Sequence, residues 1–276
     1  MKKCTAIIFY SALFFLFSCS GKEKKVNDAN SASGTVRESA VLSVQDTIKV
    51  DEKFGYAFSG EESPTLAVNI SLPVVRLSSD AATARMDSTL ALTLFDEQAT
   101  LKEACSKFVE IRKQDFNEMH DEYLNAKGND MPAFFFSLYD IIEGKAQIGY
   151  KDCITYIVAH EEYNGGEHPN TYINITNFDP VSGNEITLDN IFKEGYEEPL
   201  TAILTNQLMK EAQVSTIEEL RDKGILFFDT EMFVSNNFIP EDDSITFLYN
   251  RYEIAPYAAG EILLTIDYNT LKEIMK

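Results

Sequence analysis

His160-Glu161 and Glu167-His168 form the densest group of side chains able to do acid–base or metal chemistry in this 276-residue chain, which has three histidines in all. A His-Glu pair opens the zinc motif of many metalloproteases. There a second His four residues on shares a helical face with the first, and the Glu serves as general base. Position 164 is Asn, and Tyr156–Tyr163 has the pattern of a strand, so the motif is absent. The remaining route to a metal site is convergence of His160, Glu161, Glu167 and His168 across a hairpin. Paired glycines between them favour solvated or hydrogen-bonded turn residues instead, so no metal and no cofactor is expected. Other chemistries have less support. There is no Gly-x-Ser-x-Gly elbow, no phosphate-cradling glycine loop, and no His spaced to activate Cys105 or Cys153. No catalytic residue is assigned.

The same residues make a better recognition edge than an active site. Asn164-Gly165-Gly166 is a strong turn signal, because adjacent glycines accept positive φ without steric cost. Strands precede it (Tyr156–Tyr163) and follow it (Thr171–Phe178). A reverse turn at Asp179–Gly183 and a helical turn at Leu188–Phe192 come next. Tyr249, Tyr252 and Tyr257 cluster ahead of Gly260, where exposed rings would stack on sugars or anchor an interface. The candidate ligand-binding residues are therefore Tyr163, Gly165, Gly166, His168, Tyr252 and Tyr257. The acidic turn Glu241-Asp242-Asp243 reads as a solvated hairpin end.

The elements that must position these residues are legible from periodicity. Leu66, Val68, Ile70 and Leu72 alternate with Thr65, Ala67, Asn69 and Ser71, the period of a half-buried strand. Ser79 or Asp80 caps a helix to Phe95. A longer helix spans Glu97–Ala126, with Leu101, Ala104, Cys105, Phe108, Arg112, Phe116, Met119 and Tyr123 at helical spacing and a stop at Gly128-Asn129. His120 falls beside that stripe and is expected at the surface or its boundary. Strands are expected over Phe134–Tyr139 and Ile141–Ala146, then a helix over Glu197–Ala212 and a short helix opened by Ser215-Thr216. A hairpin of Phe233–Ile239 with Ser244–Asn250, a strand through Ile262–Tyr268 and a terminal helix from Tyr268 complete the chain. The expected fold is α+β, with antiparallel sheets packed with helices in two intimate subdomains, residues 47–155 and 156–276.

The amino terminus sets the expected compartment. Lys2 and Lys3 precede an apolar run from Thr5 to Phe17, shorter than the roughly twenty residues that span a bilayer. It ends in Leu16-Phe17-Ser18-Cys19, which resembles the lipobox of bacterial lipoproteins. The resemblance implies that residues 1–18 are a signal peptide, with cleavage before Cys19, lipidation of Cys19 and anchoring to a membrane. Residues 19–46 are rich in Ser, Asn, Ala, Gly and charge, and read as a flexible tether. The formal net charge is −20, which argues against nucleic acid and favours a cationic partner. Cys105 and Cys153 remain after processing, as a disulfide or as two buried thiols.

One resemblance is more specific. Tyr163–Asn170, Asn177-Phe178-Asp179, Ser182-Gly183, Leu188–Phe192 and Tyr252–Gly260 together resemble an uncharacterised bacterial envelope domain. That domain occurs in lysozyme-sensing anti-sigma factors and ahead of the catalytic domain of certain peptidoglycan deacetylases. Glu167 departs from the small residue expected after the two glycines. The resemblance implies an α+β envelope domain without catalytic activity of its own. No Asp-Asp pair followed by His-x-x-x-His is present to supply deacetylase chemistry. The expected protein is a lipid-anchored, non-catalytic binding or sensing domain on the outer membrane of a two-membrane bacterium, with cell-wall glycan or a cationic muramidase-like protein as partner. The alternative is a cell-wall hydrolase or deacetylase built on a His/Glu metal site.

Overall fold

Alternating apolar positions decide the first sheet. In the computed structural model, which describes residues 43–55, 63–126 and 131–276, five strands line up in sequence order. They are β1 (Ser43–Gly55), β2 (Thr65–Arg76), β3 (Leu138–Ile148), β4 (Ile154–Tyr163) and β5 (Asn170–Phe178). Their even-numbered residues share one face, because paired residues stand on the same side of a pleated sheet. Leu66, Val68, Ile70, Leu72, Leu138, Ile142, Ile154, Tyr156, Val158 and Phe178 form the core there. Helices α1 (Asp80–Phe95) and α2 (Leu101–Ala126) supply its other side through Met86, Leu90, Leu101, Cys105, Val109 and Phe116.

The helix starts follow capping chemistry. Ser79 is the N-cap of α1 and its hydroxyl accepts from the Ala82 N–H at 3.1 Å. Helix α2 begins four residues later than its apolar spacing predicts. Thr100 and Glu103 cap it reciprocally, Thr100 N–H donating to Glu103 Oε2 at 3.0 Å and Glu103 N–H to Thr100 Oγ1 at 3.3 Å. Because both helices lie between β2 and β3, that strand pair is parallel, the one departure within this sheet from the antiparallel pairing expected. His120 is also placed differently from expectation. It is buried on α2, between the rings of Phe116 and Tyr123.

The second lobe is built on a three-stranded antiparallel sheet of β6 (Phe238–Pro240), β7 (Ser244–Tyr249) and β8 (Ile262–Asp267). Helices α3 (Leu188–Ile191), α4 (Glu197–Ala212), α5 (Ile217–Asp222) and α6 (Tyr268–Leu271) pack with it around Leu200, Leu204, Phe247, Tyr249 and Leu264. Three segments are shorter than their patterns predict. Ala133–Phe136 is a 3-10 turn entered through Pro132, so β3 starts only at Leu138. Residues 233–237 do not pair as strand, because Ser235 donates to Leu248 O at 2.7 Å and Asn237 turns its side chain to β5. After the single turn of α6 the chain runs back to Phe192, which bridges to Met275.

The expected division after residue 155 falls inside β4, and the first sheet continues to Phe178. The lobes join along the free edge of β5. Asn250 accepts from Ile173 N–H at 2.7 Å, Asn237 accepts from Ile175 N–H at 2.9 Å, and Asn177 donates to Phe238 O at 2.9 Å. Side-chain amides thus satisfy backbone groups that an open edge would leave to water or to another chain. The expected signal peptide, lipidated Cys19, most of the tether and the Gly128-Asn129 helix stop lie outside the described residues. Among the described residues no helix is long and apolar enough to cross a membrane.

Candidate functional site

Two groups of side chains flank the Asn164-Gly165-Gly166 turn, one beneath the helices and one at the surface. The buried group comes from even positions of β3, β4 and β5 and from α2. Asp140 is fully buried, with Arg112 and His160 at 8% and 7% exposure. Arg112 Nε donates to Asp140 Oδ2 at 2.7 Å, and His160 Nε2 lies 3.0 Å from Asp140 Oδ1. On its other side, His160 Nδ1 hydrogen-bonds the Tyr172 hydroxyl. Arg112 has two further bonds, to Asp115 Oδ2 at 2.9 Å and to Asn164 Oδ1 at 2.6 Å. The last of these fastens the glycine turn to the buried network.

Arg112 faces two carboxylates in this group, Asp140 and Asp115. Burial pulls the Arg112 pKa down, but the carboxylates of Asp140 and Asp115 more than offset that, and the guanidinium stays protonated. Burial, with help from Glu162 and Asp140, pushes the Tyr172 phenol up to about 12, so it remains a hydroxyl. Glu162 is the register partner of Asp140, and one ligand atom each from Asp140, His160 and Glu162 lies within 4.8 Å of the others. A cavity of about 30 Å³ borders His160, Tyr172 and Asn174.

The surface group joins both lobes. Tyr139 and Tyr163 stack at 5.6 Å, and Tyr139 donates to Glu161 Oε1 at 2.9 Å. His168 stacks on Tyr257 at 4.5 Å, and Tyr252 lies 5.7 Å from Tyr257. The Arg251 guanidinium sits 4.6 Å over the Tyr257 ring and pairs with Glu261 at 2.9 Å. Burial and then Glu161 raise the Tyr139 pKa. Tyr163 donates to Gly166 O at 2.8 Å, closing the turn. Gly165 has φ +81° and a Cβ there would stand 2.4 Å from Phe135 O, so only glycine fits.

Of the candidate residues, His168, Tyr252 and Tyr257 form one stack, and Tyr163 with Gly165 and Gly166 forms the turn beside it. The convergence of His160, Glu161, Glu167 and His168, the disfavoured route to a metal site, does not occur. His160 faces the helices, Glu161 points to the opposite face with Tyr139, and His168 bonds Pro169 O and stacks on Tyr257. Cys105 and Cys153 are both buried free thiols, which corrects the disulfide alternative. Burial drives the Cys105 pKa to about 12 and raises that of Cys153. Arg112, Asp140 and Tyr172 were not among the candidates. Their signal was an Arg on the apolar stripe of a helix and an Asp in phase with the inward positions of a strand.

Residues 189–269 match the family described as "Protein of unknown function (DUF3298)". A crystal structure of a DUF3298 family member from Bacteroides fragilis is 27% identical with a TM-score of 0.75, over 86% of this chain and 95% of that one. A DUF3298 family protein from Pseudomonas aeruginosa shares the fold at 15% identity and a TM-score of 0.56, over 84% of this chain and 94% of that one. No curated protein matches the chain. The matched segment holds Tyr252 and Tyr257 of the surface group, while Tyr163, His168 and the buried network precede it.

Proposed function

We propose that this is a lipid-anchored protein of the bacterial cell envelope whose folded domain binds cell-wall glycan without catalysing a reaction. The observation that carries the binding reading is a pair of ring stacks flanking the glycine turn, Tyr139 with Tyr163 and His168 with Tyr257 and Tyr252. Flat apolar faces with polar edges suit the alternating C–H and hydroxyl surface of a sugar ring. Tyr252 is 52% exposed, and Arg251, Glu161 and Glu261 stand beside the rings as polar contacts. Anchoring rests on the basic start, the apolar run and Leu16-Phe17-Ser18-Cys19. Acyl chains contribute about 0.8 kcal/mol per buried CH₂ to membrane affinity.

The test is calorimetric titration of the purified protein with soluble peptidoglycan oligosaccharides. A stacked ring contributes about 0.5–1.5 kcal/mol beyond its area. Tyr252→Ala together with Tyr257→Ala should therefore weaken binding about tenfold or more. No binding by the wild type, or equal binding by the variant, overturns the glycan reading. Mass spectrometry of the mature terminus tests the anchor, and a lipid-free Cys19 there overturns it. The net charge of −20 supports a second reading, a cationic muramidase-like partner. Binding of that kind weakens steeply with salt, whereas stacking on a neutral sugar does not.

A further inference from the structure

We propose that Asp140, His160 and Glu162 form a binding site for a zinc-like divalent cation on the helix-facing side of the first sheet. Asp140 and Glu162 are register partners on β3 and β4, and His160 stands two residues along β4, so all three project from one face. Their ligand atoms lie within 4.8 Å of one another. A tetrahedral zinc with bonds near 2.0–2.1 Å holds its ligands about 3.3 Å apart. The Asp140–His160 pair, at 3.0 Å, already has nearly that spacing, and Glu162 closes the set by a change of rotamer.

The outer shell that orients metal ligands is also in place. Arg112 Nε holds Asp140 Oδ2 and leaves Oδ1 for a metal bond. Tyr172 meets His160 at Nδ1, the nitrogen not bonded to Asp140. Metal-bound histidines characteristically have such a partner on the second nitrogen. With a metal on Nε2, the ring proton sits on Nδ1 and is donated to the Tyr172 oxygen. The charges match as well. Arg112 and a divalent ion bring three positive charges, against three negative ones from Asp140, Asp115 and Glu162.

The experiment titrates zinc chloride into chelator-treated full-length protein, followed by calorimetry and thermal unfolding. One equivalent should bind, and the unfolding midpoint should rise with zinc concentration, as mass action requires for a ligand of the native state. Cobalt in place of zinc should give the visible spectrum of a nitrogen–oxygen site, without the charge-transfer band of a thiolate from Cys105 or Cys153. Glu162→Gln should weaken zinc binding at least tenfold. Tyr172→Phe, which keeps the ring, should weaken it about tenfold through the outer shell. Absence of saturable binding overturns the proposal. So does a thiolate band, affinity unchanged in both variants, or loss of binding in His168→Ala in their place.

Discussion

Arg112→Met removes the guanidinium paired with Asp140 inside the protein. Asp140 has no solvent exposure, and its carboxylate oxygens are held by Arg112 Nε at 2.7 Å and His160 Nε2 at 3.0 Å. Removing one partner of a buried ion pair costs about 3–5 kcal/mol, because the remaining charge keeps its desolvation penalty. The bond to Asp115 adds little, since that side chain is 46% exposed and returns to water. The expected loss is thus about 4 kcal/mol. For a domain of this size that is a fall of about 8–16 °C in unfolding midpoint, at about 2–4 °C per kcal/mol. Urea unfolding followed by circular dichroism measures it. The control is Arg112→Met with Asp140→Leu, which removes both charges and should recover at least half the loss. A single variant costing under about 1 kcal/mol, or a double variant no better than the single, would refute the view that an uncompensated Asp140 is the cost.

Three other outcomes follow from the same geometry. Gly165→Ala places a Cβ 2.4 Å from Phe135 O at φ +81°, whereas Gly166→Ala at φ +99° meets nothing within 4 Å. Both carry the positive-φ penalty of about 1 kcal/mol, so Gly165→Ala should be the more destabilising in a thermal scan, and the reverse order would contradict the turn geometry. Cys105 and Cys153 should resist alkylation at pH 8 in the native protein and label fully in denaturant, as mapped by mass spectrometry. Burial raises the Glu253 pKa against the opposing hydrogen bond from Asn250 N–H. Its contribution to stability is full below the ordinary carboxylate range and is lost as pH rises through the raised folded value. Glu253→Gln should therefore raise the unfolding midpoint at pH 7, with a difference that shrinks as the pH falls below that range.

Much of the fold was legible because it rests on local pattern. The alternation at Leu66–Leu72 marks β2, and the cap at Ser79 and the stripe through Leu101, Cys105 and Phe116 mark α1 and α2. What escaped were decisions taken by distant partners. A period-two pattern at Phe233–Ile239 does not reveal that Asn237 will leave its own sheet to cap Ile175 of another. The parallel pairing of β2 with β3 is set by two intervening helices covering one face, not by anything within either strand. The surface rings were singled out because tyrosines near glycine turns stand out in a local window, and the structure brings His168, Tyr252 and Tyr257 into one stack. The buried network was missed because Arg112, Asp140, His160 and Tyr172 come from four separate elements, and each alone reads as ordinary.

The two groups are mechanically one through Asn164. Arg112 reaches from α2 to its side chain at 2.6 Å, and the next residue, Gly165, lies so close to Phe135 O that a Cβ there would stand 2.4 Å from it. The turn therefore touches both a buried cation and a 3-10 segment. Tyr163 before the turn and His168 after it inherit that position, and His168 passes it on to Tyr257 in the second lobe. A platform assembled from two lobes needs such a reference, since stacked rings lose their gain over small displacements. Under the proposed binding function, this gives a role to a charge pair in a core that apolar residues would fill at no greater cost in stability. It also separates the roles experimentally. Asn164→Ala cuts the strut but leaves Arg112 paired with Asp140. It should lower ring-dependent binding with little change in unfolding midpoint, whereas a fall in stability without a change in binding would show that the strut serves only the fold.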